Sequence, residues 1–173
     1  SVVRAGNGRY DWVGATSNPT LTQTLTIPAP TTTTTTTTSY PTLNSESVTT
    51  TTTTTSDRLS EIAFDFYWQN NATSSNTLTI SYGGVDYARI TTGANGGSAT
   101  AVALNGASVA LSGVLTTQNE ASATTPGRLV VTLPGGVTAS GALTFAYVGN
   151  TGDDLAIDNV SALATRTTTT TSS

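Results

Sequence analysis

Apolar and polar residues alternate with a period of two wherever this chain shows any period, and no stretch carries a 3.6-residue apolar repeat, which predicts strands throughout. "TLTQTLTI" sets Leu21, Leu25 and Ile27 on one face beside Gln23, with Thr20, Thr22, Thr24 and Thr26 on the other. "EIAFDFYW" repeats the device with larger side chains: Ile62, Phe64, Phe66 and Trp68 point one way, and Glu61, Ala63, Asp65 and Tyr67 the other. "NTLTISYGGVDYARI" predicts a hairpin of Thr77 to Tyr82 and Val85 to Ile90, because Gly83-Gly84 can take the positive φ values of a two-residue primed turn. Asn105-Gly106 gives a second hairpin signal inside "AVALNGASVAL". "RLVVTLP", "ALTFAYVG" and "DDLAIDNVSALA" supply the remaining strands.

Short strands punctuated by Gly, Asn and Pro, with no internal repeat, describe a single all-β domain, an antiparallel β-sandwich. Its expected core is Ile62, Phe64, Phe66, Trp68, Leu78, Ile80, Leu129, Val131, Leu133, Leu143, Phe145, Leu155 and Ile157. The domain is expected over residues 1–165, with 166–173 as a threonine-rich tail.

Three threonine runs interrupt this pattern: Thr31–Thr38, Thr49–Thr55 and Thr167–Thr171. Such a run has high β propensity, yet no pattern selects a face, so its register is weakly specified. The 31–55 segment is open to three readings: a dense O-glycan coat, burial in an assembly, or threonine standing in for other residues.

Composition narrows the chemistry. All six basic residues are arginine, and the chain has no His, Cys, Met or Lys; the net charge is −4. Imidazole and thiolate metal sites, Cys nucleophiles and His-based triads are excluded. Without a basic stripe, no nucleic-acid partner is expected. No apolar run reaches the roughly 18 residues that span a bilayer, so no membrane insertion is expected. Carboxylate pairs such as Glu61 with Asp65 or Asp86 do not compose a glycosidase site on sequence evidence, and the expectation is a protein that is not an enzyme.

"RYDWVGATSNPTLTQTLTIP", "SEIAFDFYWQNNATSSNTLTISYGGVDYARI" and "RLVVTLPGGVTASGALTFAYVGNTGDDLAIDNVSA" together resemble the galactose-binding-like jelly-roll domains of bacterial surface and secreted proteins. That superfamily includes carbohydrate-binding modules and MAM-like domains. Its members often end in an acidic pair followed by I-D-x-V-S, matched here by Asp153, Asp154, Ile157, Asp158, Val160 and Ser161. The front of the chain lacks the family's calcium-holding Asn-Gly-x-Phe-Glu type of segment. The resemblance implies a jelly-roll sandwich and an extracellular or cell-surface location.

Hard oxygen ligands at loop-to-strand spacing suit Ca²⁺, with Asp154 and Asp158 as the metal candidates; the rival reading makes Asp153 and Asp154 a solvated turn and has Asp158 accept from backbone amides. Trp12, Tyr67 and Tyr87 are the candidate sugar-stacking aromatics, and Asn71 in Asn71-Ala72-Thr73 is the loop glycosylation sequon. Two functions are therefore expected to compete. One is an extracellular structural subunit of a surface assembly or filament, partnered by identical subunits through its sandwich and extended tracts. The other is a carbohydrate-binding or adhesion module partnered by glycans.

Overall fold

The computed structural model describes residues 2–4, 8–13, 20–42, 44–69, 76–92, 98–112, 116–117, 127–149 and 154–173, with the side chains of 2–13, 67–69, 92, 116–117, 136, 154 and 156 outside that description. The described residues form an all-β sandwich of two packed sheets. The first sheet runs β1 (Val2–Arg4), β2 (Gly8–Val13), β13 (Asp154–Ser172), β5 (Ser45–Gln69), β11 (Gly127–Val137), β9 (Ser108–Ser112). Two further strands, β4 (Thr31–Thr42) and β10 (Thr116–Thr117), also pair with β5. The second sheet runs β3 (Thr20–Leu25), β12 (Gly141–Val148), β6 (Thr77–Tyr82), β7 (Val85–Thr92), β8 (Ala99–Ala103). Described pairings are antiparallel except that of β10 with β5.

Alternation positions the core. Every described side chain of the expected core is buried, from Ile62, Phe64 and Phe66 on β5 to Leu155 and Ile157 on β13; Trp68 lies outside the described side chains. The two layers meet where Phe64 stands edge-on to Phe145 of β12, with ring centroids 5.0 Å apart and an interplanar angle of 81°. Gly127 lies beneath Phe66, and a Cβ there would overlap the ring, so any side chain at this position on β11 forces the buried ring to shift.

Two expectations need correction. The Gly83-Gly84 turn is as expected, with φ of 58° and 81° between β6 and β7. Asn105 and Gly106 also take φ of 50° and 81°, and Ala107 N–H donates to Leu104 O at 3.1 Å. Yet β8 pairs with β7 in the second sheet while β9 pairs with β11 in the first, so this turn is an arch between layers and not a hairpin. The tail at 166–173 is likewise no separate element: β13 continues through it, paired with β5 as far as Ser172 opposite Thr51.

Truncating Phe64 to Ala removes the ring that joins the sheets and is expected to cost about 3–5 kcal/mol. Gly127→Ala should cost about 1–3 kcal/mol through overpacking. Urea unfolding followed by circular dichroism measures both; a midpoint unchanged in either variant contradicts the packing described.

Candidate functional site

The threonine runs do not lie apart from one another. Thr31 pairs with Thr55, which pairs on its other side with Thr168, and the rows continue as Thr32, Thr54, Thr169; Thr33, Thr53, Thr170; and Thr34, Thr52, Thr171. Three runs distant in sequence thus form one three-stranded ribbon, β4-β5-β13, that continues the first sheet beyond the sandwich. Beyond Thr55, β11 takes the edge of β5 that β4 leaves.

Hydrogen bonding within the ribbon follows from one reciprocal pair. Thr50 N–H donates to Ser173 O at 3.0 Å, and Ser173 N–H to Thr50 O at 3.1 Å. Antiparallel rows alternate between hydrogen-bonded and non-hydrogen-bonded pairs, and the latter bring side chains closer. Thr51 with Ser172, Thr53 with Thr170 and Thr55 with Thr168 are therefore the non-hydrogen-bonded rows. Their hydroxyl oxygens indeed approach to 3.4, 3.4 and 3.5 Å. The same alternation directs the backbone of Thr51, Thr53 and Thr55 toward β4. That makes Thr32 with Thr54 a close row on this other side, and their hydroxyls lie 3.3 Å apart.

A polar collar fixes the base of the ribbon. Arg166 donates twice to Asp57, Nε to Oδ1 at 2.8 Å and a terminal nitrogen to Oδ2 at 3.1 Å. Arg58 donates to the carbonyl of Gly135 at 2.8 Å and to the hydroxyl of Thr167 at 3.1 Å. Thr165 donates to Ser60, which donates to the carbonyl of Leu163. Chiefly through its hydrogen bond, Arg166 holds the Asp57 carboxyl below its ordinary 3.8, against a desolvation push upward.

A second polar site lies where β13 bulges. Asp158 stands opposite Asp65, and Asn159, left-handed at φ 50°, falls in the irregularity before Ser161 pairs with Ala63. Asp65 is buried and accepts from Arg128 at 2.9 Å and from Asn159 Nδ2 at 2.7 Å. Asp158 Oδ2 is buried with no hydrogen-bond partner among the described residues, beside a cleft of about 410 Å³ lined by Leu21, Gln23, Phe145 and Val160 among others. No family model, curated protein or solved structure matches the chain.

The expected site residues separate. Asp154 and Asp158 share one regular strand, which sets their Cα atoms about 13 Å apart, too far for two aspartates to hold one calcium ion at about 2.3–2.6 Å. Among the described residues, no group of three acids is placed to hold a metal ion. Tyr87 is corrected from an outward platform to a core residue, 8% exposed. Its partner register explains why: Ile80 pairs with Ala88 and Ser81 with Asp86, so Tyr87 is the extra residue of a β-bulge and escapes the alternation. Trp12 and Tyr67 are neighbours in one row, on either side of Ala156, but their side chains lie outside the described residues, as does Asn71 altogether. Asn159, which opens the sequon Asn159-Val160-Ser161, commits its Nδ2 to Asp65. Sequence reasoning missed the collar, whose Asp57, Arg58 and Arg166 flank the runs in sequence.

The Asp57 shift has a definite sign. A carboxyl lowered in the folded state adds stability above its unfolded value of 3.8, and that contribution is lost as pH falls through the lowered value. Hydrogen exchange corrected for intrinsic rates should therefore show the amides of 50–56 and 167–173 losing protection below pH 3.8, before those of the sandwich. Asp57→Asn should remove that pH step; a ribbon whose protection follows the sandwich at every pH contradicts it.

Proposed function

We propose that the chain is a structural subunit of an extracellular or cell-surface assembly, self-associating through its sandwich and its extended tracts. The observation that supports this reading is the pair of long strand edges on the ribbon that carry no described pairing. One is the outer edge of β4; the other is the outer edge of β13 beyond Ile157, where its pairing with β2 stops. Unpaired N–H and C=O rows are templates for another chain, and proteins that stay monomeric guard them with charge, proline or bulges. From Thr31 to Ser39 the β4 edge has no charge and no proline. The ribbon has no apolar face of its own either, so lateral pairing is the available source of further stability.

The glycan-binding alternative loses Tyr87 as a platform. Among the described residues the exposed aromatic ring is that of Tyr40, 69% accessible near the ribbon tip. Calcium enters the proposal at Asp158 alone, whose buried Oδ2 has no hydrogen-bond partner among the described residues, whereas Asp65 opposite it is already held by Arg128 and Asn159.

Electron microscopy and sedimentation velocity test the assembly reading. Filaments, sheets or concentration-dependent oligomers are expected, and discrete monomers at every concentration overturn it. For calcium, the thermal midpoint is expected to rise on adding millimolar Ca²⁺ and to lose that response in Asp158→Asn, since a ligand confined to the folded state raises apparent stability. A midpoint indifferent to both calcium and chelator removes the ion.

A further inference from the structure

We infer that the outer edge of β4 is a self-recognition surface: it pairs antiparallel with β4 of a second copy across a two-fold axis at Thr35, leaving the two sandwiches at opposite ends. The inference rests on the assembly reading and specifies its first contact.

Strand chemistry selects the residues. Thr31, Thr33 and Thr35 exchange backbone hydrogen bonds with Thr55, Thr53 and Thr51, because alternation from the Thr50–Ser173 pair directs those β5 groups toward β4. Thr32, Thr34, Thr36 and Thr38 consequently turn their N–H and C=O groups away from β5, toward the open edge. The run is closed at one end by Pro30, which has no N–H, and at the other by the irregularity between Ser39 and Thr42 that contains Pro41. These four outward residues are arranged symmetrically about Thr35. An antiparallel copy can satisfy all of them in one register: Thr32 opposite Thr38 of the partner subunit, Thr34 opposite Thr36 of the partner subunit, and the reverse. Thr35 then faces Thr35 of the partner subunit in a close, non-hydrogen-bonded row.

Geometry excludes the simple alternative, in which copies line up side by side with β4 against the next copy's β13. In the ribbon three strands lie abreast, β13, β5 and β4, so that packing repeats every three strand widths, about 14 Å. In the sandwich the same sheet is six strands wide, with β11 in line with β4 and β9 one strand beyond it. The column that β13 of the next copy needs is already filled by β9. The two-fold arrangement avoids this collision, because each sandwich lies beyond the far end of the other's ribbon. Charge agrees with the choice: the β13 edge carries exposed Arg166 at its base, whereas Thr31–Ser39 carries none. The β13 edges stay open on both flanks of such a dimer, where growth can continue.

The chain has no cysteine, so single substitutions report the pairing without background. Non-hydrogen-bonded rows bring Cα atoms to about 4.5 Å, within the disulfide range. Under mild oxidation Thr35→Cys should form a disulfide dimer at twice the 17.5 kDa chain mass, while Thr31→Cys and Ser39→Cys should each stay monomeric alone and cross-link when mixed. Circular dichroism matching the parent chain confirms that each variant is folded. If sedimentation shows association but Thr35→Cys does not cross-link, or Thr31→Cys cross-links to itself equally well, association uses another surface and this inference falls while the assembly reading stands. If the parent chain sediments as a monomer up to hundreds of micromolar and no variant cross-links, both fall.

Discussion

The structure depends on the requirement that β5, a 25-residue strand, find partners for the backbone groups on both of its edges. One edge is covered by β13 along nearly its whole length. The other is shared in succession by β4, β11 and β10. The same strand is therefore a core strand of the sandwich at one end and the spine of a solvent-exposed ribbon at the other. Only its side-chain pattern changes, from the apolar alternation of Ile62, Phe64 and Phe66 to uniform threonine.

That continuity resolves the weak register of a threonine run. No face of Thr49–Thr55 prefers burial, so nothing within the run opposes a slip. The register is imposed from outside. On β13 it is set by Leu155 and Ile157 in the core and then by the bulges that follow Asp158 and Leu163. It is locked again by the Asp57–Arg166 pair at the point where the ribbon begins. On β4 it is set at the opposite end, where Thr42 returns opposite Ser45. Each threonine strand is thus held at one end by a short, well-defined element.

How much of this the sequence reveals depends on where the deciding interaction lies. The core and the Gly83-Gly84 hairpin were legible because alternation and positive φ are local properties. Asn105-Gly106 reveals a chain reversal but not its destination; Val109 and Leu111 pack against the core from the other layer, and that is a tertiary fact. Tyr87 was misplaced because a one-residue bulge flips the face of a strand without leaving a mark in composition. The ribbon was invisible for a stronger reason. Its strands have no period, and their strandedness comes wholly from partners more than a hundred residues away in the case of β13.

Threonine suits such a ribbon in one respect and leaves it exposed in another. Its β-branched side chain favours extended backbone, and its hydroxyls make both faces compatible with water and let close rows pair across strands. It contributes no apolar face, however, and a three-stranded sheet without one has little beyond backbone hydrogen bonding and its tether to hold it. The charges that could protect its edges are concentrated at the collar, with Glu46 near the tip, so the middle of the β4 edge is unguarded. In a monomeric protein that combination is a liability. In a subunit built to join its own copies it is the economical arrangement, because the groups that destabilise the isolated ribbon are those that a neighbouring strand would satisfy.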